Sequence, residues 1–122
     1  MKPIFLTPEH HPKGWGEELW LTNNEKYCAK ILRFNKGAEF SMHYHIKKEE
    51  TWYVANGKLK LYYYDLSNAD RKETIIEQGQ VVHIYPCTPH KLIAEKESII
   101  FEVNTTHFED DSYRVEKGNS QK

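Results

Sequence analysis

His43 and His45 stand one residue apart, and Glu50 follows five positions later, in a stretch bounded by Gly37 and Gly57. Side chains two residues apart on an extended strand leave the same face, so these imidazoles can converge on one point. Lys47 and Lys48 then suit a turn, and the run Glu50-Thr-Trp-Tyr-Val-Ala can return antiparallel, bringing its carboxylate to the same place. Neutral imidazoles and a carboxylate gathered inside a sheet are ligands for a divalent first-row metal. His10, His11, His83 and His107 have no such company and read as ordinary surface or core histidines.

Strands must position such a set, and the chain supplies them. Lys26 to Phe34, the segment ending at His45, Glu50 to Ala55, Lys58 to Asp65, Glu73 to Glu77, Val81 to Tyr85, His90 to Ala94 and Ser98 to Asn104 are short runs rich in β-branched and aromatic residues. Asn56-Gly57 between two of them is a hairpin turn signal. Leu59, Leu61 and Tyr63 alternate with Lys58, Lys60 and Tyr62, giving that strand one apolar and one wet face. No segment sustains a helical period, so the fold class is all-β, a closed antiparallel jelly roll.

Residues 1–18, with Pro3, Pro8, Pro12, Gly14 and Gly16, are expected to lie irregularly across the barrel or a partner subunit. Residues 67–72 read as a polar loop. Glu109-Asp110-Asp111 reads as a solvated turn or cap, and the residues after Arg114 are expected to fray. If His43 and His45 face inward, Phe40, Met42 and Tyr44 face outward, and so apolar a row predicts a two-fold homodimer.

With 122 residues there is room for one core. A formal net charge of −1 gives no reason to expect nucleic acid or an anionic membrane as partner. No apolar run approaches a membrane span or a signal segment, so a cytoplasmic protein is the expectation. Cys28 and Cys87 lack CxxC spacing and are expected to be reduced, Cys87 as a small residue in a turn.

The spacing G-x5-H-x-H-x4-E-x6-G from Gly37 to Gly57 resembles the first motif of the cupins without gap or substitution. From Gly79 the chain is similar to the second motif, G-x5-P-x-G-x2-H-x3-N, with Gly79 and His90 in place. Tyr85 stands at the motif Pro, Cys87 at the motif Gly and Ala94 at the motif Asn. Trp15-Gly16 and the acidic triplet near Asp111 resemble one branch, the isomerase-like C-terminal domain of mannose-1-phosphate guanylyltransferases that also act as mannose-6-phosphate isomerases.

The resemblance runs from about Trp15 to Arg114 and implies a cupin double-stranded β-helix. It would be a single domain over 1–122, with the barrel at about 26–104, an N-terminal arm at 1–25 and a tail at 105–122. It adds His90 to His43, His45 and Glu50 as ligands of one divalent transition metal: Zn, Mn, Fe, Co or Ni. The implied activity is sugar-phosphate aldose–ketose isomerisation of the mannose 6-phosphate type. Glu39 and Glu102 are the candidate bases, and Arg33, Lys58, Lys60 and Lys91 the candidate phosphate donors. No P-loop or GxGxxG is present, so the nucleotide chemistry of the longer relatives does not carry over. The alternatives are a non-catalytic sugar- or metal-binding module, an iron-dependent dioxygenase, and a metal-free epimerase or ketoisomerase using these histidines as bases.

Overall fold

Period-two burial is the signature of strands with one covered face, and a computed structural model describing residues 1–121 bears it out along most of the chain. Among the described residues eleven strands form: β1 (Glu9–Lys13), β2 (Gly16–Asn23), β3 (Cys28–Phe34), β4 (Met42–Tyr44), β5 (Glu50–Asn56), β6 (Lys58–Asp65), β7 (Asp70–Glu77), β8 (Val81–Ile84), β9 (His90–Ala94), β10 (Ser98–Asn104) and β11 (Tyr113–Glu116). They make two antiparallel sheets, ordered β1-β2-β3-β10-β5-β8 and β11-β4-β9-β6-β7. This is a jelly roll with the inner faces of the two sheets packed together.

The inner faces divide by depth. Leu32, Ile100 and Val54 form one cross-strand row, and Leu59, Leu61, Leu92 and Ala94 oppose it from the second sheet in a dry core. Two residues along the same strands, the row becomes Lys30, Glu102 and Trp52, with Cys28, Asn104 and Glu50 beyond it. The core therefore turns polar toward one mouth, where the second sheet contributes the paired His43 and His90.

Four expectations need correction. The proline-rich start is a hairpin, β1 with β2, in full register from Glu9 opposite Trp20 to Lys13 opposite Gly16. Pro12 is tolerated because β1 is an edge strand. The polar loop is shorter than read, because β7 begins at Asp70 and follows β6 along its whole length. As far as Gln121 the tail does not fray, since β11 pairs with β4 and a short 3-10 turn spans Asn119–Gln121, while Lys122 lies outside the described residues.

The same strand accounts for the fourth correction. Met42 is fully buried, Tyr44 stacks on Tyr113 with ring centroids 5.2 Å apart, and Phe40 packs beside Trp15, Phe34 and Trp52. The alternation assumed one unbroken strand, whereas the chain bridges at Glu39, leaves strand geometry at Phe40 and Ser41, and re-enters it at Met42. The row that argued for a homodimer is covered by this chain itself. The apolar row left outward lies on the larger sheet, where Leu19, Ile31, Phe101, Tyr53 and Val81 are cross-strand neighbours.

Candidate metal centre

His43, His45 and His90 each offer a ring nitrogen, and these atoms all lie within 4.8 Å of one another. Their orientation is fixed from behind. The Nδ1–H of His43 donates to the Ser41 carbonyl at 2.7 Å, that of His45 to the Asp111 carbonyl at 2.6 Å, and that of His90 to the Thr88 carbonyl at 2.9 Å. A carbonyl oxygen can only accept, so each Nδ1 carries the proton and each Nε2 keeps its lone pair. Burial holds all three rings neutral, with pKa values pushed down to about 3, 2 and 4 respectively. Three neutral Nε2 donors on one point are what a divalent transition metal takes.

Glu50 completes the set that the resemblance implies. Its Oε2 lies 3.3 Å from His90 Nε2 and 3.9 Å from His45 Nε2, and it is a buried oxygen without a hydrogen-bond partner. An orphaned carboxylate oxygen beside three converging lone pairs fits a cation. Burial raises the Glu50 pKa, against the opposing pull of the Lys48 charge and of a hydrogen bond with the Glu102 carboxyl. Burial, then the charge of Glu50, pushes Glu102 up to about 8, and its Oε2 is likewise buried without a partner. Both causes favour the protonated form of Glu102.

These residues line a cavity of about 270 Å³ that the β1–β2 hairpin and the tail help to wall. Of the two candidate bases, Glu102 lines it and Glu39 does not; Glu39 forms an ion pair with Lys91 at 3.6 Å. None of the four proposed phosphate donors lines it. Arg33 faces Glu17 at 3.4 Å, Lys58 faces Glu77 and Glu95 at 3.8 Å, Lys60 faces Glu73 at 3.4 Å, and Lys91 also faces Glu116. Nearness to the motif strands in sequence put them on the outer face of the sheets, where lysine and arginine belong.

The cations that do line the cavity are Lys13, Lys30 and Lys48. Lys30 is held by Glu18 at 3.5 Å, by His107 Nδ1 at 3.3 Å and over the Trp20 ring at 4.2 Å. Its inward position was readable, because Cys28, Leu32 and Phe34 share its phase on β3. Lys48, Glu18 and His107 carried no comparable signal. Asp111, read as part of a solvated turn, is buried, and its carboxylate accepts from the backbone N–H groups of Ile46, Lys47 and Lys48 at 2.9 to 3.2 Å. It shapes the loop between His45 and Glu50.

The departures from the second motif also resolve. Cys87 takes the left-handed backbone that the motif glycine would supply, at φ 69°, and its N–H donates to the His45 carbonyl at 2.6 Å. It is exposed and does not line the cavity. Tyr85 is exposed as well, while Ala94 is fully buried in the core.

The fold compares closely with several solved structures. Oxalate decarboxylase from Bacillus subtilis superposes with a TM-score of 0.77 at 16% identity, over 88% of this chain and 30% of that one. The capsular polysaccharide assembling protein CapF from Staphylococcus aureus gives 0.79 at 15% identity, over 93% and 33%. KdgF from Halomonas sp. gives 0.64 at 17% identity, over 77% and 81%. The chain thus spans about a third of the length of the first two. No curated protein matches it. No helix among the described residues is long and apolar enough to cross a membrane. The cupin domain model matches residues 30–106, which carry both motifs and all four proposed ligands, and the chain belongs to that family.

Proposed function

We propose that this cupin is a metal-dependent enzyme that moves a proton on a small oxygenated substrate, with Glu102 as the residue that carries the proton. The observation behind this reading is a buried, protonated carboxyl with a free oxygen, beside three neutral imidazoles that share one focus. His43, His45, His90 and Glu50 would hold one divalent ion of Zn, Mn, Fe, Co or Ni. Bound there, the ion would supply Lewis acidity toward substrate oxygens.

Glu102 pairs with Trp52 on the β10–β5 ladder, two residues along from Glu50, and hydrogen-bonds that carboxyl, so its proton is both held and polarised. A pKa of about 8 is close enough to neutrality for the group to donate and regain a proton within one turnover. Trp52 and Phe40 pack edge-on beside the buried His90 ring. Proton exchange between neighbouring carbons, as in aldose–ketose isomerisation, is the reaction class this arrangement suits. The mannose 6-phosphate form of that reaction draws on the sequence resemblance alone, because the donors chosen for its phosphate face away from the cavity.

Elemental analysis of protein prepared without chelator, followed by chelation, metal return and assay of aldose–ketose interconversion, tests the reading. Near one metal per chain, with turnover lost and regained and Glu102→Gln inactive yet metal-loaded, is the expected result. Full turnover after exhaustive chelation, or in Glu102→Gln, would overturn it. Dioxygen consumption by the iron-loaded protein would favour the oxygenase alternative, and metal without any turnover the binding module.

A further inference from the structure

The proton-transfer reading leaves one charge in the cavity unused. Lys48 follows the turn after β4, lines the cavity, and has only 4% of its surface exposed. Among the described residues no carboxylate lies within 4.0 Å of its ammonium and no hydrogen bond is made to it. Its backbone is not free to swing outward, because Asp111 holds the N–H groups of residues 46–48 together.

The other lysines of the cavity are differently placed: Lys13 is exposed at its rim. Lys30 is held by Glu18 at 3.5 Å, whereas the Glu50 and Glu102 carboxyls act on Lys48 only from beyond ion-pair distance. An ammonium removed from water without a carboxylate in direct contact is costly, and an apolar chain of the same length would be expected to serve folding stability as well. A ligand can offset that cost.

We infer that Lys48 recognises an anion, and that the substrates of this site are small hydroxy- or oxo-carboxylates. The substrate's hydroxyl or carbonyl oxygens face the His43, His45 and His90 focus, and its carboxylate meets the Lys48 ammonium. One buried ammonium without a direct ion pair matches one carboxylate. A phosphate dianion calls for several converging donors, an arginine fork or a nest of backbone N–H groups, and among the described residues no arginine lines the cavity. The placement of the oxygens rests on the metal-site reading, whereas the role of Lys48 in holding the anion does not.

The experiment compares 3-hydroxypropanoate, its uncharged counterpart 1,3-propanediol, and inorganic phosphate. Binding is measured by calorimetry and by the shift in thermal midpoint, on metal-loaded and metal-free wild type and on Lys48→Met. Wild type should bind the hydroxycarboxylate in preference to the diol and to phosphate. Lys48→Met should weaken hydroxycarboxylate binding by about 10- to 100-fold, the worth of one charge-assisted hydrogen bond, and leave the diol unchanged. The ligand-free variant should unfold at a higher temperature than wild type.

Equal binding of hydroxycarboxylate and diol by wild type would overturn the inference without any variant. So would a Lys48→Met chain that unfolds earlier than wild type and binds the hydroxycarboxylate as well, because Lys48 would then be a counter-charge to the carboxyl pair. Tighter binding of phosphate than of hydroxycarboxylate would also overturn it. Failure to load metal counts against the proposed function alone, since Lys48-dependent anion binding is still measurable in the metal-free protein.

Discussion

Replacing Glu102 by Gln should flatten the dependence of stability on alkaline pH. Glu102 is 4% exposed and holds its proton to about 8 in the folded chain, against an ordinary value of 4.5 once unfolded. The folded state therefore carries one more proton than the unfolded state throughout that interval, and stability falls as pH rises across it. Each pH unit between the two values removes about 1.36 kcal/mol. Between pH 6 and 9 that amounts to about 3 kcal/mol, the slope fading as pH passes 8. Glutamine keeps the volume and can still donate an N–H to Glu50, but it does not titrate. Urea unfolding of chelated wild type and Glu102→Gln at pH 6, 7, 8 and 9 measures the difference directly. The histidines titrate alike in both proteins and cancel in the comparison. The gap between the two proteins should change by about 3 kcal/mol in favour of the variant from pH 6 to pH 9. Parallel profiles, constant to within about 0.5 kcal/mol, would show that Glu102 is ionised at neutral pH and would remove the proposed acid.

Other perturbations have defined outcomes. His45→Ala should abolish metal binding and leave a folded barrel by circular dichroism; metal retained at one per chain would show that the ligand set is wrong. Asp111→Ala strips the acceptor from the backbone N–H groups of residues 46–48 and should cost about 2–3 kcal/mol in urea unfolding, with weaker metal uptake; a change below about 0.5 kcal/mol would contradict that role. Acid should destabilise the metal-free protein. Three histidines with lowered pKa values take up protons on unfolding from about pH 6.5 downward, outnumbering the one or two protons held by the carboxyl pair, so the urea midpoint should fall from pH 6 to pH 4; a flat or rising midpoint would refute it. A homodimer, if formed, has the outward row of Leu19, Ile31, Phe101, Tyr53 and Val81 to use, and Phe101→Glu should then give monomers by light scattering; wild type that is already monomeric at micromolar concentration removes the dimer.

The parts of this molecule that follow local rules were readable in its sequence. Strand alternation and the Asn56-Gly57 turn gave the jelly roll, and two-residue spacing gave the shared face of His43 and His45. What failed were the places where distant chain segments meet. Prolines in residues 1–18 argue against helix but say nothing against an edge strand, so the hairpin that walls the cavity was missed. Charged residues near the motif strands were taken for pocket donors, when alternation sends most of them outward.

The tail is the most instructive case, because its polarity suggested a free end. Its partner was an exposed strand edge more than sixty residues earlier. By pairing β11 with β4, the chain buries Met42, seats the Asp111 carbonyl on His45 Nδ1 and the Asp111 carboxylate on the turn that carries Lys48. One residue thereby sets the tautomer of a proposed metal ligand and the position of the unpaired ammonium. A change in this tail should act on the metal and on the anion together, whereas His45→Ala should act on the metal and spare anion binding to the metal-free protein. That pattern separates an organising residue from a liganding one, and no inspection of the motifs alone would have led to it.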